Sequence, residues 1–157
     1  MPISWNSITV VPSDEAIAEL RNEWSWLLPI RYQPVLFNAL GDMFYETMDG
    51  EIWWLNTGTA ELSKVATSRE EFQTLCGMEV AVDWFLPPLI ERLLKAGKSL
   101  ARGQCYTFVT LPIFLGGTYT VENLNPVDAK EHFGLTALVH KQIRDAKDGD
   151  QIRIKIE

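Results

Sequence analysis

Apolar and polar positions change period several times along the chain, and each change predicts an element. A short apolar stretch, Ile8-Thr9-Val10-Val11, ends at Pro12, after which Ser13 offers an N-cap oxygen with Asp14 and Glu15 in the first turn, where a helix dipole favours anions. Ile17, Leu20, Trp24 and Leu27 then recur at helical spacing, and Pro29 closes the stripe. From Asp42 the period shortens. Residues 42–48 and 51–56 read as extended segments around Asp49-Gly50, a dipeptide suited to the positive φ angles of a tight hairpin. Thr57-Gly58-Thr59 is a second turn and residues 60–66 a third strand, so residues 42–66 read as an antiparallel meander.

Ser68-Arg69-Glu70-Glu71 matches a capping box, with Ser68 and Glu71 each satisfying an orphan amide of a helix that runs to about Cys76. Trp84, Phe85, Leu89, Ile90, Leu93 and Leu94 continue a helical pattern that Pro87-Pro88 must break, leaving a new helix that stops near Gly97. Residues 105–110 alternate as a strand, Gly116-Gly117 marks a turn or bulge, and residues 118–121 resume extended structure. Asn125-Pro126-Val127-Asp128 reads as the start of a helix reaching about Ile143, and residues 151–156, after Asp148-Gly149, as an edge strand. The expectation is one α+β domain over residues 1–157: an antiparallel twisted sheet with helices packed against it.

Composition narrows the class. With 157 residues, 46% of them hydrophobic, the chain has material for one packed core, and its longest apolar stretches fall short of a bilayer span. Its first residues show no signal-peptide pattern, and its two cysteines make no Cys-x-x-Cys motif, so a reducing cytoplasm is the expected location. Fourteen basic and 21 acidic residues give a net charge of −7. The imbalance is uneven: residues 1–90 hold 13 acidic and 4 basic side chains, and residues 91–157 hold 8 and 10. Such a balance disfavours nucleic acid and membrane surfaces and favours a basic partner, although acidic excess also simply keeps a protein soluble.

Candidate chemistry is sparse. Ala96-Gly97-Lys98-Ser99 resembles the end of a phosphate-binding loop, but Arg92 stands where that loop needs glycine and the upstream segment reads as helix. His132 and His140 lie eight residues apart, which is not a metal-ligand spacing, and no metal or other cofactor is expected. Cys105 with His140 would make a thiolate and base only if the fold joined them, while a cysteine opening an alternating strand is commonly an apolar filler. No catalytic residue is assigned. The mixture of acidic and aromatic side chains on the 42–56 hairpin suits protein binding, and the candidate partner-binding residues are Asp42, Tyr45, Glu46, Asp49, Glu51 and Trp54. Adjacent Trp53 and Trp54 must face opposite sides of the sheet, and helices covering both would make them core residues instead.

Several separated motifs share one family pattern: Leu40-Gly41-Asp42-x-Phe44, residues 50–59, Val65-Ala66-x-Ser68-x-x-Glu71-Phe72, Gly103-Gln104-Cys105-Tyr106-x-Phe108, Leu111-Pro112-x-x-Leu115-Gly116-Gly117-x-Tyr119, Glu122-Asn123, and His140-Lys141-Gln142-Ile143 before Asp148-Gly149. In order and spacing, over about residues 38–150, these resemble the C-terminal domain of the type VI secretion immunity proteins that neutralise DNase effectors. The resemblance implies a cytoplasmic antitoxin without chemistry of its own, which occludes a basic nuclease toxin. Longer members carry a further domain ahead of this one, where the present chain has about 37 residues. The glycine and tyrosine motifs read as fold determinants, not toxin contacts. The alternatives are an adaptor or regulatory domain of the same fold, and a small-molecule binder or enzyme with a pocket near Cys105, Tyr106 and His140.

Overall fold

In the computed structural model, which describes residues 4–155, a single helical turn, α1 (Trp5–Ile8), leads into a two-residue strand, β1 (Thr9–Val10). Helix α2 (Asp14–Glu23) begins as its sequence predicts, with the Ala16 amide donating to Ser13 Oγ at 3.1 Å. Its inward stripe is rotated by one position from the expected one. Ala16, Leu20, Trp24 and Leu28, four residues apart, are buried, whereas Ile17 and Leu27 are only half-buried. The Trp24 indole donates to the Phe133 carbonyl at 3.1 Å, tying this corner to the C-terminal helix.

Strands β2 (Gln33–Asn38), β3 (Met43–Glu46), β4 (Ile52–Asn56) and β5 (Glu61–Ala66) join β1 in one antiparallel sheet of order β1-β2-β3-β4-β5. The meander is the predicted one, but β2 was not foreseen, because Pro34 and a bulge between Pro34 and Leu36 interrupt its pattern. Proline is tolerated there since β1 pairs only with Phe37 and Asn38, which leaves the far end of β2 as a sheet edge. At the β3–β4 hairpin Glu46 pairs with Ile52, and the Gly50 amide donates to the Thr47 carbonyl at 3.0 Å. The turn is therefore a four-residue one, in which Gly50 (φ +84°) takes the positive angle and Asp49 does not, rather than a two-residue turn with both positive.

Helix α3 (Arg69–Cys76) keeps half of its capping box. Ser68 Oγ accepts the Glu71 amide at 3.1 Å, but the Glu71 carboxylate reaches back to the amide of Thr67, not Ser68, at 3.0 Å. Helix α4 (Ala81–Phe85) and helix α5 (Pro87–Lys95) meet at Leu86, whose left-handed φ of 48° is one of two such non-glycine angles among the described residues. Proline at the first position of α5 starts a helix that cannot continue from α4. Lys98, in the apparent phosphate-loop motif, donates to the Val121 and Leu124 carbonyls at 2.7 and 2.9 Å and so pins a loop in place.

The C-terminal half corrects three expectations. Strand β6 (Gln104–Phe108) stands where expected, but its partner is β7 (Leu124–Asp128), and the two form a separate two-stranded sheet. Residues 118–120 are irregular and Val121–Asn123 form a 3-10 turn, so the extended segment falls later than predicted. Asn125-Pro126 is accordingly strand and not a helix start, and α6 (Ala129–Ile143) is capped instead by Asp128, whose Oδ1 accepts the Lys130 amide at 2.9 Å. The edge strand foreseen at residues 151–156 is absent over 151–155, and Ile156 lies outside the described residues. Gln142 holds that segment by bonding both the amide and the carbonyl of Lys155.

The large sheet is covered on both faces. Phe44 and Ile52 belong to one buried cluster with Phe72, Trp84, Phe85, Leu89 and Tyr106, under α3, α4, α5 and β6. Met43, Tyr45 and Leu55 belong to the other, with Leu20, Trp24, Cys105 and Phe133, under α2 and α6. Alternation along β3 and β4 distributes these side chains, and Trp54 and Trp53, both half-buried, follow it to opposite sides. Among the described residues no helix is long and apolar enough to cross a membrane.

Candidate partner-binding surface

The hairpin brings the six sequence candidates close in the chain but places them in different surroundings. Glu46, Asp49 and Glu51 lie towards the tip. Glu46 accepts from Arg69 Nε at 3.1 Å, and Glu51 accepts from Lys64 Nζ and the Trp53 indole, each at 3.2 Å. The Trp53 hydrogen bond and then Lys64 hold the Glu51 carboxyl below the usual range. Two of the three tip carboxylates are thus paired with basic side chains of β5 and α3, while Asp49 is exposed beside Met48, itself 74% exposed.

Asp42 and Tyr45 do not belong to that surface. Tyr45 is 2% exposed, its ring tilted against Tyr32 at 5.3 Å, and burial first and then Tyr32 push its hydroxyl up to about 12. Asp42 is 4% exposed at the root of the hairpin. Its Oδ1 accepts the Thr57 amide at 2.9 Å and the Thr57 hydroxyl at 3.0 Å, and its Oδ2 accepts Asn38 Nδ2 and the Trp54 indole, both at 3.1 Å. Sequence reading placed both residues at a surface because exposure follows from what lies across the sheet, and α2, α4 and α6 arrive from distant parts of the chain.

Beyond Asp42 the network runs into the core. Thr57 Oγ1 lies 2.8 Å from His132 Nε2, His132 Nδ1 lies 2.8 Å from Thr107 Oγ1, and His140 Nε2 lies 3.0 Å from the Thr57 carbonyl. Because Thr57 gives its proton to Asp42, it accepts from His132 Nε2–H, which leaves Nδ1 to accept the Thr107 hydroxyl proton; this tautomer is assigned from the bonding pattern. Burial, and then the neighbouring His140, push His132 down to about 3, so the ring is neutral. His140 is lowered too, chiefly by burial. Burial raises Asp42 against its four hydrogen bonds, in which Thr57, Asn38 and Trp54 all donate to the carboxyl. Asn38 carries no periodic signal, and Thr57 stands in the sequence only as part of the Thr57-Gly58-Thr59 turn and the motif over residues 50–59.

Cys105, Tyr106 and His140 do not form the pocket of the alternative reading. As neighbours on β6, Cys105 and Tyr106 enter opposite clusters. The Tyr106 hydroxyl donates to the Lys98 carbonyl, and burial raises the Cys105 thiol far above the range where a thiolate forms. The glycine motifs are backbone devices: a Cβ on Gly117 would lie 2.0 Å from the Leu111 carbonyl oxygen, and one on Gly41 (φ +80°) 2.5 Å from the His132 ring.

The hairpin root also lines a small cavity, about 160 Å³, together with α4 and the loop after β6. The molecule is thus an α+β protein with a buried hydrogen-bond network at the hairpin root. Residues 66–140, a little under half of the chain, match the family model described as T6SS immunity protein Tdi1, C-terminal, and that stretch is similar to this type VI secretion immunity family. The match includes α3 to most of α6 and leaves the hairpin outside. A solved structure, the crystal structure of Atu4351 from Agrobacterium tumefaciens, is similar in fold, with a TM-score of 0.51 and 23% identity over 79% of this chain and 63% of that one. The chain therefore spans less than two thirds of that protein's length. No curated protein sequence matches.

Proposed function

We propose that the protein is a non-enzymatic antitoxin of the cytoplasm that binds a basic toxin effector, a nuclease domain, and occludes it. The observation that carries this reading is the immunity-family match over residues 66–140. The net charge of −7, concentrated in residues 1–90, supports it, because a nuclease that holds phosphates presents a basic surface to which an acidic protein is electrostatically steered. The proposed contact surface is the hairpin tip, Glu46, Asp49 and Glu51 with the exposed Met48, and the half-buried Trp54 nearer the root, without the buried Asp42 and Tyr45. Pairing with Arg69 and Lys64 weakens Glu46 and Glu51 as local anions, so the tip contributes to encounter more than to the bound state.

Co-expression with the toxin gene of the adjacent reading frame tests the function: rescue of growth and co-purification are expected, and growth arrest with no complex refutes it. Charge reversal at both Glu46 and Glu51 is expected to slow association about tenfold and flatten its salt dependence. An unchanged association rate would remove the hairpin tip from the interface.

A further inference from the structure

The cavity at the hairpin root has walls of unusual composition. Trp54, Trp84, Phe108 and Tyr119 supply aromatic faces, and Asp42 and Asp83 supply carboxylates. The aromatic walls are fixed: Trp54 stacks on Phe44 at 5.8 Å, Trp84 stacks on Phe72 at 5.6 Å, and Tyr119 meets Phe108 edge-on at 5.2 Å. Asp83 and Tyr119, the latter 39% exposed, form the solvent side. At about 160 Å³ the space is below the roughly 300–1,000 Å³ of small-ligand pockets, and it matches one long side chain better than a nucleotide or cofactor.

Its electrostatics are unbalanced in one direction. A buried carboxylate ordinarily has a cationic partner. Asp42 is bonded only to the neutral donors of Asn38, Trp54 and Thr57, and no ion pair among the described residues includes it or Asp83. With both Asp42 oxygens already holding two donors, a guest would bond to Asp83 and lie over the aromatic faces.

We infer that this cavity receives an arginine side chain projecting from the basic partner protein. The inference rests on the antitoxin reading for the identity of the partner, though not for the chemistry of the guest. Arginine fits better than lysine because its planar guanidinium stacks on indole and phenol faces while presenting a fork to Asp83. Trp54 and Asp42 stand on the same face of the sheet as Glu46, so an arginine seated here would lie beside the proposed hairpin contact, on a surface whose first 90 residues hold 13 acidic and 4 basic side chains.

The test uses the whole chain and a defined probe. Titration with N-acetyl-arginine methylamide, followed by NMR at the Trp54 indole N–H, is expected to give a saturable shift that Asp83→Asn weakens about tenfold and the neutral isostere N-acetyl-citrulline methylamide fails to reproduce. No shift, or an equal shift with citrulline, overturns the inference. Against the toxin, Asp83→Asn and Tyr119→Leu are each expected to weaken binding at least about tenfold. Both positions are exposed, and an unchanged indole NMR pattern confirms that the variants fold. Unaltered toxin affinity in both variants overturns the cavity as a partner contact while the antitoxin reading stands. If the wild-type chain forms no complex with the toxin, the antitoxin reading falls and takes with it the partner assigned here, whereas the arginine titration still decides the chemistry of the guest.

Discussion

The two ends of the β3–β4 hairpin carry the same kind of residue in opposite electrostatic circumstances. At the tip, Glu46 and Glu51 meet Arg69 and Lys64 in water, with the two basic side chains 47% and 45% exposed. At the root, Asp42 is enclosed and meets only neutral donors. Ion pairs in solvent are screened and contribute little, while a desolvated carboxylate depends on every donor around it. The tip can therefore change partners cheaply, as a recognition surface must, and the root is fixed by the fold.

The sharpest way to break this contrast is to empty the root. Asp42→Ala leaves the Asn38 amide, the Trp54 indole and the Thr57 backbone amide without their acceptor, and a loss of about 3–5 kcal/mol is expected in urea unfolding. A loss under about 1 kcal/mol would show that water replaces the carboxylate freely. Gly41→Ala comes next, because its Cβ would press on His132 from a left-handed backbone, and about 2–4 kcal/mol is expected from the same measurement.

A pH series sharpens the root further. With His132 held near 3, against about 6.5 in the unfolded chain, unfolding takes up a proton below pH 6.5. The stability contributed by neutral His132 is complete above about pH 6.5 and is lost as pH falls towards 3, with a slope of up to about 1.4 kcal/mol per pH unit. His140, also lowered, acts in the same sense, and Asp42, raised by burial, acts in the opposite sense as pH rises through its own titration. The urea midpoint should fall between pH 6.5 and 4.5 in the wild type and fall less steeply in His132→Gln. Parallel curves would contradict the buried neutral imidazole.

The smallest effect belongs to the tip. Arg69→Ala removes the partner of Glu46 and is expected to cost less than about 1 kcal/mol, and less again in high salt. A larger loss would erase the distinction between the two ends.

Much of the architecture was written locally. The Ser13 cap, the meander with Gly50 at its turn, the break at Pro87-Pro88 and the 15-residue final helix all depend on neighbours within a few positions, where backbone chemistry acts. The failures have a common form. No element is predicted over residues 33–38 and Pro126 reads as the first turn of a helix, yet Pro34 and Pro126 each sit in a strand where a sheet edge spares them. Ser68 and Glu71 were paired by a motif, and the carboxylate chose an amide one residue further back.

By itself the sequence determined the α+β class, the acidic imbalance and the order of motifs that resembles the immunity family, since these depend on period, composition and spacing. Only the tertiary structure decided which carboxylates meet solvent. Asp42 and Glu46 are four residues apart with similar side chains, but His132 and Thr107 come from α6 and β6 to extend the network at Asp42, while Arg69 comes from α3 to meet Glu46 in water. Burial is a property of what the distant chain brings to a position, and desolvation, which disfavours the charged form of an aspartate and makes it depend on the donors around it, arises only once those elements have packed.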